Sequence, residues 1–163
     1  MKKIVILIFL FTCWAHAAVA GSIPKIVFLP EDVSGGYDHR GGTPQLLEKL
    51  EEYVASHAPQ NHVMMDIHKL LKKDIRPYYI YNKKYCKPIG TVLGANVFVM
   101  ARLVLVKQAV RYGEDQYDIQ AKAFSSETGR EIELLRSKNV RGADFVTLIE
   151  GRENDLLKKI LTV

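Results

Sequence analysis

Between Asn96 and Val106 the chain reads Val97-Phe98-Val99-Met100-Ala101, then Leu103-Val104-Leu105-Val106, apolar at odd and even positions alike. A strand sends alternate side chains to opposite faces, so such a run has to be covered, at least in part, from two sides. The stretch is therefore expected to be a central strand. Arg111 to Asp115 then reads as a turn around Gly113, after which Tyr117, Ile119, Ala121 and Ala123 alternate with Asp118, Gln120 and Lys122 as a half-buried strand does. Ser125 to Arg130 makes the next turn, with Gly129 free to adopt positive φ, and Ile132 and Leu134 continue a returning strand. Three consecutive strands form a meander.

Upstream, Lys25 to Leu29 is a short apolar, β-branched run ended by Pro30, the signature of a buried strand. Pro30 to Gly42 reads as a loop, with Gly35-Gly36 and Gly41-Gly42 around Tyr37, Asp38, His39 and Arg40. Thr43 suits a helix N-cap and Pro44 a first turn. Leu46, Leu47, Leu50, Tyr53 and Val54 then share one helical face until Ala58-Pro59. Val63 to Ile67 is read as a short strand leading into a helix, although Met64, Met65, Leu70 and Leu71 equally support a helix with Lys69, Lys72 and Lys73 outside. Arg76-Pro77 interrupts that helix. Tyr78 to Tyr85 has no clear periodicity, and Pro88 to Leu93 reads as a short helix stopped by Gly94. A last helix is expected from about Asp144, weakened at Gly151 and Asn154. The order predicts an α/β (α+β) two-layer sandwich: a mixed sheet of about five strands, with a C-terminal three-strand meander, packed against helices.

The first twenty residues belong to another category. Lys2-Lys3 precede an almost wholly apolar run from Ile4 to Ala20 that ends in Ala18-Val19-Ala20, the pattern of a secretory signal peptide cut after Ala20. The run is slightly short for a retained anchor and is interrupted by His16. Thr12 and Phe11 before Cys13 do not suit lipid attachment. With 48% hydrophobic and 25% charged residues in 163, the remainder suits a single folded domain over 21–163. Removing the leader takes Cys13 and leaves Cys86 alone. No intramolecular disulfide is then available, and Cys86 is expected as a buried inert thiol. The formal net charge of +5 also loses Lys2 and Lys3, leaving a mildly basic domain with no need of nucleic acid.

No catalytic constellation emerges. His39, His57, His62 and His68 make no helical zinc pair, Ser34-Gly35 is no nucleophile elbow, and no metal or cofactor is expected. The Gly35 to Gly42 loop has the outline of a phosphate-holding loop before a helix, but Gly41-Gly42-Thr43 lacks the P-loop lysine. His39 and Arg40 are the anion-binding residues if that outline is used. The most unusual composition lies between Lys69 and Lys87. Lys72, Lys73, Arg76, Lys83 and Lys84 are interleaved there with Tyr78, Tyr79, Tyr81 and Tyr85, a mixture suited to partner binding because rings bury area and lysines attract anionic surfaces. The plainer reading is a basic helix face followed by tyrosines packed on the sheet.

Three short segments carry a resemblance: Ile26-Val27-Phe28-Leu29-Pro30, Leu93-Gly94-Ala95-Asn96, and Thr128-Gly129-Arg130-Glu131-Ile132. A first strand ending in proline, a Leu-Gly-Ala turn into a long apolar strand and a Thr-Gly turn between later strands make the chain similar to one family of envelope proteins. That family includes the amino-terminal domain of TolB, the curli secretion channel and the lipoprotein activators of peptidoglycan synthases. The glycine-rich first loop and the missing lipid-bearing cysteine depart from its pattern. The resemblance implies a non-enzymatic module of a periplasmic or outer-membrane-associated assembly, in secretion, flagellar or cell-wall machinery, binding other envelope proteins in a hetero-oligomeric complex. The alternative is a secreted protein that binds an anionic membrane surface or a host target through the same lysines.

Overall fold

The computed structural model describes residues 23–34, 46–75, 83–109 and 114–163. The leader, the Gly35 to Gly42 loop with the Thr43-Pro44 helix start, and the Gly113 turn lie outside the described residues.

The long apolar run forms strand β4 (Val97–Lys107), and its burial follows its sequence. Val97, Phe98 and Val99 are all buried, so both faces are covered there, whereas further on Ala101 and Leu103 are buried and Arg102 and Val104 exposed. Along one flank of β4 run two short parallel strands. β1 (Ile26–Phe28) pairs Ile26 with Val97, and β2 (Asp32–Ser34) pairs Asp32 with Arg102. The expected loop from Pro30 thus contains a strand. With Pro30 confining the backbone between them, β1 and β2 act as one interrupted strand, and Leu29 N donates to Val99 O at 2.9 Å in the gap. Beyond β1 lies β3 (His62–Val63), shorter than expected, and on the other flank come β5 (Gln116–Ser125) and β6 (Glu131–Arg141), both antiparallel. The sheet runs β3-β1-β4-β5-β6, a mixed sheet ending in the three-strand meander.

Helix α1 (Leu46–His57) buries Leu46, Leu47, Leu50 and Val54 against the face formed by Ile26, Phe28, Val97, Val99, Ala101 and Leu103. The single C-terminal helix expected from Asp144 is two 3₁₀ turns (Gly142–Asp144 and Val146–Leu148) and then α4 (Glu153–Leu161). Gly151 separates them because its φ of +74° is left-handed, which an α-helix does not accept. Leu156, Leu157 and Ile160 of α4, with Phe145 and Ile149, complete this first core. The opposite face is covered at one end only. Helices α2 (Ile67–Leu71) and α3 (Lys83–Leu93) supply Leu70, Cys86 and Ile89, which meet Val27, Leu29, Phe98 and Phe124 in a second, smaller core. The fold is an α+β sandwich whose principal layer is α1 with α4 and whose partial outer layer is α2 with α3.

The three segments behind the family resemblance fall at joints. Pro30 ends the β1 segment, Leu93 to Asn96 turns α3 into β4, and Thr128-Gly129 lies in the β5–β6 turn, Gly129 at φ +71°. Asn96 ties one joint to another: its Oδ1 accepts from Lys25 N at 2.7 Å while its Nδ2 donates to Glu127 Oε1 at 3.1 Å.

Candidate docking surface

The residues between β3 and α3 divide into two sets. Met65, Leu70 and Ile75 turn into the second core. Met64, Ile67 and Leu71 turn outward, with 77%, 38% and 49% of their surface exposed. Ile67 and Leu71 lie four residues apart on α2 and so share one helix face, with Met64 just before it. Asp66 starts this helix as its N-cap, its carboxylate accepting from Lys69 N at 3.0 Å, and that bond holds the Asp66 carboxyl below the usual carboxylate range. The helix ends in a tight turn: Lys73 N and Ile75 N both donate to Leu70 O, at 2.9 and 3.0 Å, and Asp74 takes a left-handed φ of +56°. The turn leaves Lys72 and Lys73 exposed beside Leu71.

α3 packs beside α2 and begins five residues earlier than expected, with Pro88 inside it. Proline removes one helical hydrogen bond there, but Cys86 and Ile89 fill the second core on either side of it and hold the turn in place. Lys84 and Lys87 are exposed. Lys83 is engaged: its ammonium pairs with Glu131 and sits 5.2 Å from the Phe124 ring centroid. Tyr85 packs half-buried into the second core, as the plainer reading of the tyrosines has it, with Lys84 Nζ 4.9 Å over its ring. Of the predicted binding residues, Lys72 and Lys73 are exposed at the end of α2 and Lys84 is exposed on the neighbouring α3, whereas Lys83 and Tyr85 are committed to internal contacts. Arg76, Tyr78, Tyr79 and Tyr81, and the anion-binding pair His39 and Arg40, lie outside the described residues.

Sequence reasoning missed Met64, Ile67 and Leu71. The available signal was a surplus: seven apolar residues from Val63 to Ile75 surround a helix of five residues, more than one face of so short an element can bury.

Elsewhere the titratable groups have structural employment. Cys86 is fully buried, and burial pushes its thiol up to about 11 against a small opposing pull from Lys83, so it stays protonated and unreactive near neutral pH. His62 Nε2 lies 3.0 Å from Glu51 Oε1, tying β3 to α1, and His57 stacks on Tyr53 with ring centroids 4.0 Å apart. Glu31 sits between β1 and β2, where its Oε1 accepts from Leu47 N at 2.6 Å in the first turn of α1. Burial pushes its carboxyl up to about 7, with the backbone bonds of Leu47 and Leu46 pulling the other way. Among the described residues no cluster of His, Cys, Asp and Glu could hold a metal, and no helix is long and apolar enough to cross a membrane.

No protein-family model and no curated protein matches the chain. Among solved structures it is similar to the C-terminal domain of LpoB from Salmonella enterica, with 12% identity over 75% of this chain and 85% of that one and a TM-score of 0.45. It is likewise similar to lipoprotein GNA1162 from Neisseria meningitidis, with 12% identity, 83% and 99% coverage and a TM-score of 0.48. The third is PelC from Paraburkholderia phytofirmans, solved as a dodecamer, with 7% identity, 86% and 89% coverage and a TM-score of 0.43. Each is a likeness of fold at low identity.

Proposed function

We propose that this is a non-enzymatic, exported interaction module, delivered by a leader removed after Ala20, that docks on another component of the cell envelope through the outer surface of α2. The observation that carries the reading is the exposed apolar set Met64, Ile67 and Leu71, followed directly by the exposed Lys72 and Lys73. Large apolar side chains left in water cost solvation that a partner relieves, and they mark contact surfaces when they lie together. The lysines favour an acidic rim on that partner. Secretion, flagellar and cell-wall machinery are the settings the family resemblance offers for such a module.

The test is recovery of partners from envelope extracts with the intact protein and with Met64→Ser/Leu71→Ser. Loss of an envelope partner in the variant, with an unchanged melting temperature, supports the reading. Equal recovery by both forms, or recovery of neither with any partner, opposes it. A second reading, attachment to an anionic lipid surface, is favoured by the same lysines. It predicts sedimentation with vesicles containing phosphatidylglycerol and release as salt screens the charges over about 10 Å at 0.1 M.

A further inference from the structure

β6 forms one edge of the sheet, opposite the β3 edge that leads into α2. β5 occupies one side of β6, and among the described residues no backbone group outside that ladder bonds to the other side. Among the described residues, the outward-turned backbone groups of this strand therefore form an open row of donors and acceptors.

The charges on this edge follow a rule. Glu131 stands opposite Phe124, Glu133 opposite Lys122, Arg136 opposite Gln120 and Arg141 opposite Gln116. Phe124 belongs to the second core while Ile119, Ala121 and Ala123 belong to the first, so all four charges share the second-core face. The register shift at Ala121/Lys122 inserts Leu134 as an extra residue, which is why odd-numbered glutamates and an even-numbered arginine fall on one face. The acidic pair occupies the first half of the strand. The basic residues, joined by Lys138, occupy the second.

A strand laid out in this way is complementary to its own reverse. We propose that β6 pairs antiparallel with β6 of a second copy about a two-fold axis normal to the sheet, Glu133 of each copy facing Arg136 of the other. The same register sets Ile132 opposite Ser137, two residues that the β5 pairing places together on the first-core face; it ends there, because a second register shift follows at Lys138–Asn139, where Asn139 takes φ +55°. Charges that merely guard an edge need one sign along it. Opposite signs in the two halves repel a parallel neighbour, where like meets like, and attract an antiparallel one. The pairing is isologous and uses up the free edge of both copies, so it closes at a dimer. Glu133 and Arg136 already meet within one strand, Nε to Oε2 at 3.0 Å, with 45% and 61% of their side chains exposed, so the dimer joins two such pairs into one four-charge cluster. This inference stands apart from the docking reading, because β6 and α2 belong to opposite edges of the sheet.

Charge exchange tests it. Sedimentation velocity on the protein across a concentration series is expected to show a reversible monomer–dimer equilibrium. Glu133→Lys alone and Arg136→Glu alone each place like charges across the axis and are expected to weaken dimerisation roughly tenfold or more. An equimolar mixture of the two variants restores both contacts and is expected to dimerise within about twofold of the original strength. A protein that stays monomeric throughout, a single variant that dimerises as before, or a mixture that stays apart overturns the proposal. Hydrogen exchange on the unsubstituted protein gives an answer even if a variant misfolds. Amides of Ile132 to Ser137 that face away from β5 should exchange more slowly at high concentration, and exchange independent of concentration overturns the proposal equally.

Discussion

Glu31 shows how one side chain can link three elements. It lies in the gap between β1 and β2, and its Oε1 reaches the first turn of α1, where backbone N–H groups lack helical partners. Its Oε2 is buried with no hydrogen-bond partner among the described residues. An ionised carboxylate there has one oxygen served by the helix and one stranded out of water, and the folded state resolves this by holding the proton. Because the folded value is raised from 4.5 to about 7, the contribution of this proton is fully present below pH 4.5 and is lost as pH rises through about 7. Glu31→Gln keeps the acceptor and removes the titration. After a discount for partial solvent access, the variant should match the parent near pH 5 and exceed it by ~1–2 kcal/mol near pH 8. Urea unfolding at the two pH values reads the difference, and a gap that does not change with pH excludes this role. In the sequence Glu31 is only one residue of the loop expected from Pro30 to Gly42. Its partner is sixteen positions away, and no local pattern announces a side chain that serves the end of a later helix.

At the scale of the element, the joint between α3 and β4 is the most constrained. Gly94 N and Ala95 N both donate to Gly90 O, at 2.7 and 2.9 Å, and Gly94 takes φ +74° to end the helix. The role of Gly94 was legible because a glycine after the last apolar position is a recognised stop. Gly90 was not. A Cβ on Gly90 would stand 2.3 Å from the Ala95 carbonyl oxygen and 3.1 Å from Phe98 Cζ, so the helix can approach the start of β4 only without one. Gly90→Ala should therefore destabilise by ~1–3 kcal/mol although alanine is the better helix former, a sign that chemical denaturation determines directly. Neutral or higher stability would show that the two elements separate easily. Close approach depends on which segments become neighbours in space, and a single helix carries no mark of it.

For the molecule as a whole, the two cores share β4. Val97, Val99, Ala101 and Leu103 serve one and Phe98 the other, so neither helical layer can be lost without exposing a face of the same strand. Ile89→Ala, in the smaller core, should lower global stability by ~2–4 kcal/mol and leave a single unfolding transition, as followed by far-ultraviolet circular dichroism. Two separate transitions would mean that α2 and α3 detach as an independent layer. The proposed docking surface depends on that coupling, since Leu70 holds α2 down while Met64, Ile67 and Leu71 face out.

The sequence alone determined what depends on near neighbours. The two-sided strand, the alternation of β5, the Gly129 and Gly94 turns and the face of α1 all follow from periodicities and backbone preferences that act within a few residues. Tertiary structure decided the rest. It made a strand of Asp32 to Ser34, since that segment gains its ladder from the distant β4, and it divided the final helix once Phe145 and Ile149 had a core to fill. It also chose which of the apolar residues around α2 stay in water. Burial is a competition for a limited area of sheet, and its outcome depends on every other element that lies on that sheet.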